Sequence, residues 1–183
     1  MGLREKWIEI IYRSATGTRR LRLLLTPLIA LLFFAVVIVL PICGALWLDR
    51  ALRLPKLVPA PLNVILSVPL IGLGAFFALW SVFHFAKVKG TPVPFNPPPK
   101  LVTTGPYAHV RNPMVSGLLI VVVGVGVLLR SVSVVFILSP FLVLVGVIGL
   151  KMLEEPELEK RLGQEYVEYK KRVPMFIPRI HHD

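Results

Sequence analysis

Cysteine and charge are what this sequence has least of. It holds one cysteine, Cys43, so it cannot form an intramolecular disulfide and has no Cys-x-x-Cys metal motif. Charged residues make up 17% of its 183 positions, against about 25% in a soluble domain. These shortages exclude a secreted disulfide scaffold, and the hydrophobic content of 55% excludes a disordered chain.

Four long windows contain no Asp, Glu, Lys or Arg at all: residues 23–48, 57–86, 112–129 and 131–150. About 18 or more consecutive apolar residues are typical of a transmembrane helix, and the mean hydropathy of the chain is +0.75. The first window is much longer than the roughly 7–15 apolar residues of a signal peptide, so we expect it to remain in the membrane. The sequence therefore predicts an all-α, polytopic integral membrane protein with about four transmembrane helices, and it excludes a soluble enzyme.

The apolar stretch 113–150 is too long to be one transmembrane helix. A continuous helix over it would measure about 57 Å, whereas the hydrocarbon core of a bilayer is ~30 Å thick. We expect the chain to turn near Arg130, whose guanidinium can reach the membrane interface, and to form a tight hairpin of helices 3 and 4. The expected helices are an interfacial helix over 3–13, helix 1 over 23–48, helix 2 over 62–86, this hairpin, and an amphipathic C-terminal helix over 156–173 that winds loosely at Gly163.

Lysine and arginine are distributed unevenly along the chain. Of the 21, 17 lie in the N-terminal segment, the middle loop and the C-terminal segment, and four lie in the two remaining loops. The positive-inside rule places the larger group in the cytoplasm. Attraction to anionic lipid accounts for the pI near 10.3, so membrane lipids are the predicted partners and nucleic acid is not. The sequence does not indicate an oligomeric state.

Polar groups that could carry chemistry concentrate at two places. The loop 87–112 holds six prolines and ends in Arg111 and Asn112, just before a helix that starts at Pro113. Glu154 and Glu155 directly follow helix 4, and the hairpin should return them to the same face as Arg111. Their charge needs a compensating group, either Lys151 or a bound cation. The four histidines show no metal-ligand spacing, so no metal site is predicted.

Two stretches carry a family resemblance: GTPVPFNPPPKLVTTGPYAHVRNPMVSG and, after the hairpin, EEPELEKRLGQEYVEYKKRVPMFIPR. Together they resemble the isoprenylcysteine carboxyl methyltransferase-like family of bacterial membrane methyltransferases, whose wider superfamily includes phospholipid N-methyltransferases. The resemblance covers residues 84–179. It implies S-adenosylmethionine (AdoMet) as methyl donor, a lipid-like or apolar small-molecule acceptor, and a bacterial inner-membrane location. The positive-inside rule places both termini and the active site on the cytoplasmic side of that membrane.

The resemblance also implies which residues form the site. It assigns AdoMet binding to Lys100, Leu101, Val102, Tyr107, Asn112, Pro113, Met114, Val115 and Glu154. It assigns catalysis to Arg111 and Glu155. The sequence departs from the family pattern at three positions: Asn112 replaces a frequent histidine, Val115 replaces a frequent tyrosine, and Leu150 replaces the substrate-binding arginine of the eukaryotic prenylcysteine enzymes.

The predicted organisation has two parts. Residues 1–86 form the N-terminal interfacial segment with transmembrane helices 1 and 2, and residues 87–183 form the methyltransferase-like region. Two other functions are kept as alternatives: a membrane lipid reductase that uses a nicotinamide cofactor, and a non-enzymatic membrane protein. Replacing Glu154 with alanine separates the enzyme from the non-enzymatic protein, since only the enzyme should lose ligand binding.

Overall fold

The computed structural model describes residues 34–88 and 100–177, together with Glu5, Leu28, Leu31 and Leu32. Within these residues all regular secondary structure is helical, which confirms the predicted all-α class. The predicted interfacial helix over 3–13 falls almost entirely outside the described residues.

Six α-helices form the described part of the chain. They are α1 (Leu40–Ala51), α2 (Leu62–Lys87), α3 (Pro113–Leu128), α4 (Ser139–Gly149), α5 (Glu155–Leu162) and α6 (Gln164–Arg172). Three π-helical turns, Ala35–Val39, Val134–Leu138 and Leu150–Glu154, precede α1, α4 and α5, and a 3₁₀ turn spans Gly105–Ala108.

Two of the described helices are long and apolar enough to cross a membrane. They are Leu62–Lys87, with 26 residues, and the stretch Val134–Leu162, with 29. In the most apolar 18-residue stretch of each helix, only 17% and 22% of the stretch, respectively, is buried inside the protein. Most of the apolar side chains of both helices therefore face outward. Outward-facing apolar side chains are expected of a helix in lipid and not of the core helix of a soluble protein. Helix α3 is also apolar but shorter, so the number of spans stays a prediction.

The turn predicted near Arg130 is present. Helix α3 ends at Leu128, and Arg130 adopts a left-handed backbone conformation with φ of +60°. Ser131 then caps the returning helix, because its Oγ accepts a hydrogen bond from the Val134 N–H at 3.0 Å. The Asp49 carboxylate at the end of α1 accepts hydrogen bonds from the Ser131 hydroxyl and, at 2.9 Å, from the Ser133 N–H. The turn is therefore tied to α1 as well as to its own helices.

Bare glycine surfaces let α2 and α3 approach closely. A Cβ added to Gly74 would lie 2.5 Å from the Gly117 carbonyl oxygen, and one added to Gly117 would lie 2.6 Å from the Gly74 carbonyl oxygen. Gly124 packs against Ile71 in the same way. Small residues at such positions are what allow helix backbones to approach one another in a membrane.

The predicted C-terminal amphipathic helix is two helices rather than one. Helices α5 and α6 are separated by Gly163, whose φ of +61° and ψ of −138° are not helical. The prediction of one helix with a loose winding there was wrong, because glycine alone adopts this backbone conformation without a steric penalty. Pro156, in contrast, does not break the helix, which is continuous over Val134–Leu162; the π-helical turn Leu150–Glu154 directly precedes it.

Close packing groups the described residues into two units. One contains residues 79–88, 100–114 and 147–177, and the other contains 34–78 and 115–146. The second unit has a small buried core of Ile38, Val122, Val134 and Leu138. All but one of the predicted site residues belong to the first unit, and the exception is Val115. The predicted division at residue 86 stays a prediction.

The glycine contact between α2 and α3 generates a testable prediction. We expect Gly74→Leu to lower the thermal midpoint of the detergent-purified protein, because overpacking costs about 1–3 kcal/mol. Gly72→Leu is the matched control on the same helix, since nothing lies within 4 Å of a Cβ at Gly72. It should leave the midpoint unchanged or raise it. Equal midpoints for the two variants would show that the helices do not approach at Gly74.

Candidate functional site

The two adjacent glutamates of the acidic pair have different surroundings. Glu155 is buried, with 5% of its surface exposed, whereas Glu154 is exposed. The helix continues through both residues, and successive residues of a helix point about 100° apart. One carboxylate therefore faces the protein interior and its neighbour faces outward.

Two cations compensate the buried charge of Glu155. The Arg111 guanidinium donates through Nη1 to Glu155 Oε1, and the Lys170 ammonium lies 2.7 Å from Oε2. Lys170 also contacts Glu159 at 3.0 Å, and both carboxylates raise the pKa of Lys170. The expectation that Lys151 or a bound cation would compensate the pair was therefore wrong for Glu155. A buried carboxylate is stable only with such close partners.

The ion pair with Arg111 confirms that the hairpin brings the two polar clusters together. Arg111 is held by its backbone as well, because its N–H donates to the Pro174 carbonyl at 2.8 Å and the Asn112 N–H donates to the Met175 carbonyl at 3.2 Å. The chain after α6 thus runs beside the segment before α3. The Arg111 side chain is 11% exposed, and its Nε has no hydrogen-bond partner among the described residues.

Three buried tyrosines form a cluster at this ion pair, namely Tyr107, Tyr166 and Tyr169; Tyr166 and Tyr169 interact with Arg111, and Tyr107 is linked to them through Tyr169. Burial and the nearby Glu155 raise the pKa of Tyr166 to about 12, and its hydroxyl is hydrogen-bonded to the Arg111 side chain. Burial also raises the pKa values of Tyr107 and Tyr169. All three hydroxyls therefore stay protonated at neutral pH. The Tyr166 hydroxyl accepts its hydrogen bond from Arg111, because a guanidinium only donates.

The tyrosines connect α6 with the loop before α3. The Tyr169 hydroxyl donates to the Tyr107 carbonyl at 2.7 Å. The Tyr107 ring stacks on Phe85 at 4.9 Å between centroids, and its hydroxyl is hydrogen-bonded to Ser81. The sequence reasoning singled out Tyr107 but missed Tyr166, Tyr169 and Lys170 as members of the same cluster. Their only local signal was an amphipathic stripe, which does not say what the stripe covers.

Gly105 and His84 fit closely at the start of the 3₁₀ turn. Gly105 has φ of +61°, and a Cβ there would lie 2.2 Å from His84 Nε2. His84 Nδ1 lies 2.9 Å from the Trp80 carbonyl oxygen, and since a carbonyl only accepts, the proton belongs on Nδ1. Glycine is required at position 105 both by its backbone conformation and by the imidazole beside it.

The remaining predicted cofactor residues differ in burial. Val102 and Pro113 are buried, Leu101, Asn112, Met114 and Val115 are half-buried, and Lys100 and Glu154 are exposed. The charge of Glu154 interacts with those of Glu155, Glu157 and Arg161. The structure brings Arg111, Glu155 and the tyrosines into contact, and it leaves Lys100 and Glu154 with exposed side chains.

Comparisons with known proteins bear on the same region. A family model described as phospholipid methyltransferase matches residues 62–165. The nickel-cobalt-cadmium resistance protein NccN of Alcaligenes xylosoxydans xylosoxydans is 29% identical over 102 residues, which cover 56% of this chain and 43% of that protein. The match thus spans less than half the length of that relative. No solved structure matches the chain.

The different surroundings of the two glutamates generate a stability prediction. We expect Glu155→Gln to lower the thermal midpoint clearly, because loss of one partner from a buried ion pair costs about 3–5 kcal/mol. Glu154→Gln is the matched control one residue away and should change the midpoint little. Thermal unfolding of both variants in one detergent measures the difference, and equal shifts would contradict the burial of Glu155.

Proposed function

The chain belongs to the phospholipid methyltransferase family, and we propose that it is a membrane-embedded, AdoMet-dependent methyltransferase for a lipid-like or apolar small-molecule acceptor. The observation that carries this proposal is the family match over residues 62–165. That range includes both ends of the Arg111–Glu155 ion pair. The two polar clusters picked out by the sequence thus lie in one matched region and touch one another.

Methyl transfer from AdoMet requires few acid or base groups from the protein. AdoMet supplies an activated methyl group, which passes from a positively charged sulfonium to a lone pair of the acceptor and leaves a neutral thioether. Catalysis then depends on in-line positioning and on the exclusion of water. A site of neutral tyrosine hydroxyls and a compensated ion pair is suited to positioning rather than to proton transfer.

The exposed carboxylate of Glu154 is the proposed anchor for the donor. Its side chain is exposed, and two neighbouring carboxylates, Glu155 and Glu157, act on it together with Arg161, so it can accept hydrogen bonds from ribose hydroxyls or from an ammonium group. Lys100, Leu101, Val102, Tyr107 and the segment Asn112–Val115 complete the proposed donor-binding set. Tyr107 contributes through its ring and backbone, because its hydroxyl is already bonded to Ser81.

Arg111 and Glu155 have different proposed roles in catalysis. The Arg111 Nε–H is buried without a partner among the described residues, so Arg111 can orient an anionic group of donor or acceptor. Glu155 is committed to Arg111 and Lys170. We therefore assign it the role of a positioning residue, which acts by holding the guanidinium.

Access to the site follows from the charge distribution along the sequence. We place the site on the cytoplasmic side of a bacterial inner membrane, where soluble AdoMet is available and an apolar acceptor can enter from the bilayer. Leu150, which is buried, stands where the prenylcysteine enzymes carry a substrate-binding arginine. This departure argues against a prenylcysteine carboxylate as the acceptor.

Equilibrium binding of labelled AdoMet to the detergent-purified protein tests the donor. We expect micromolar binding to the wild type and about 10–100-fold weaker binding to Glu154→Gln, since hydrogen bonds to a charged group contribute about 1.5–3 kcal/mol. Glu165→Gln, at another exposed carboxylate, is the control and should bind normally. A folded wild type that binds no AdoMet would favour the nicotinamide-dependent reductase or the non-enzymatic protein.

Methyl-transfer kinetics test the roles of Arg111 and Glu155. In an assay with a lipid extract as acceptor, Arg111→Ala should lower kcat/KM by about 10–100-fold, which corresponds to about 1.4–2.7 kcal/mol. Glu155→Gln should lower kcat/KM less, because its effect passes through the guanidinium. If Arg111→Ala changed neither kcat nor the acceptor KM, its assignment as an orienting group would be withdrawn.

A further inference from the structure

A second polar region lies where α1 ends and where the hairpin turns. A cavity of about 460 Å³ there is lined by the basic side chains of Arg50, Arg53, Lys56 and Arg130, by Asp49 and by several leucines. None of these residues belongs to the proposed methyl-transfer site. Trp47, one turn before Arg50 on α1, is exposed, and exposed tryptophan is typical of the headgroup level of a membrane.

The positive charge of this cavity is not balanced by the protein. Asp49 is the only acidic residue between Glu9 and Glu154, and its carboxylate is already bonded to Ser131 and Ser133. Among the described residues, no carboxylate pairs with Arg50, Arg53 or Lys56. Arg50, Arg53 and Lys56 are exposed, so solvent screens part of their mutual repulsion, and a bound anion would reduce it further.

The negative ends of two helix dipoles offset part of this positive charge but not all of it. The C-termini of α1 and α3 both end at the cavity, and each carries about half a negative charge. Together with Asp49 they supply about two negative charges against four positive side chains. The remaining excess of about two positive charges is enough to neutralise the single negative charge of a phosphodiester headgroup, or the charge of about −1.5 to −2 that a phosphate monoester carries at pH 7.

The backbone at both helix ends is unusual for the residues found there. Leu54 N–H bonds to Asp49 O and Arg53 N–H to Arg50 O, while Ser131 N–H bonds to Gly126 O and Arg130 N–H to Val127 O. Each pair of bonds is a Schellman motif, in which the residue with positive φ is usually glycine. Here that residue is Arg53 in one motif and Arg130 in the other, with φ of +52° and +60°.

No other non-glycine residue of the described part has a positive φ. A left-handed conformation is uncommon for a long side chain and destabilises the backbone. Both arginines nevertheless line the same cavity, and Arg130 is fixed further by its Nε, which donates to the Val58 carbonyl at 2.7 Å. The turn geometry alone would favour glycine at both positions, so the turn does not account for the two guanidinium groups.

We propose that this cavity binds a phosphate anion, carried either by the headgroup of a membrane phospholipid or as free phosphate. Guanidinium groups bind phosphate oxygens in a bidentate manner, and Leu46, Leu54 and Leu129 supply an apolar wall for the first carbons of a lipid. The site is independent of methyl transfer and does not require the proposed function to hold.

The backbone conformation allows a variant that removes charge without disturbing the fold. Arg53→Gly places the favoured residue in the Schellman motif, so we expect the thermal midpoint of the ligand-free protein to stay the same or to rise. Combined with Lys56→Gln it removes two of the four cations. Lys171→Gln, an exposed cation of α6 that does not line the cavity, is the matched control.

The test is isothermal titration calorimetry on the full-length protein in neutral detergent. Dihexanoyl-phosphatidylglycerol, dihexanoylglycerol and inorganic phosphate are titrated separately. We expect saturable binding of the phosphatidylglycerol, at least about tenfold weaker in the Arg53→Gly/Lys56→Gln variant and unchanged within about twofold in Lys171→Gln. Raised salt should weaken it. Dihexanoylglycerol, which lacks phosphate, should not bind saturably.

The outcomes separate the two sources of phosphate and can also overturn the proposal. Competition by inorganic phosphate at similar concentration would identify a free-anion site, and binding of the phosphatidylglycerol without such competition would identify a lipid site. Equal affinity of wild type and double variant, equal binding of dihexanoylglycerol, or no saturable binding of any phosphate compound would each refute the phosphate site.

Discussion

The buried carboxylate of Glu155 is the constraint on which the candidate site depends. A buried negative charge needs hydrogen-bond donors or cations to replace its hydration. Arg111 and Lys170 supply them here, one at each carboxylate oxygen of Glu155. Those two residues lie on different segments, one just before α3 and one on α6. Neutralising a single charge thus fixes the loop before α3, helix α5 and helix α6 as one arrangement.

The other unit is held by packing at its helix contacts and by a few polar anchors at its turn. Glycine surfaces bring α2 and α3 together, while the Asp49 carboxylate holds the hairpin turn through Ser131 and Ser133. Lipid-facing helices gain little from hydrophobic association, since the surrounding solvent is equally apolar. Close backbone contact and hydrogen bonds at helix ends supply the specificity that a soluble core obtains from exclusion of water.

The sequence predicted the features that depend on lengths and periods. The range expected for helix 2, 62–86, differs from the observed Leu62–Lys87 by one residue. The turn near Arg130 followed from the thickness of a bilayer, and the contact of Arg111 with the acidic pair followed from that turn. These inferences needed only local sequence patterns and the thickness of a bilayer.

The features that sequence reasoning missed depend on long-range contacts or on a single dihedral angle. Lys170 reaches Glu155 only because Gly163 redirects the chain between α5 and α6. A glycine within an amphipathic pattern fits both a continuous helix and a break, so the pattern could not decide between them. The roles of Tyr166 and Tyr169 likewise depend on what α6 covers, which no local periodicity reports.

The backbone bonds of Arg111 and Asn112 to Pro174 and Met175 have a consequence for biogenesis. The ribosome makes the loop before α3 more than 60 residues ahead of the segment that holds it in place. While the hairpin is being inserted, the guanidinium of Arg111 therefore has neither its carboxylate nor its backbone partners. The site can assemble only after synthesis has passed Met175, so a nascent chain halted earlier would carry the hairpin in the membrane without a formed site.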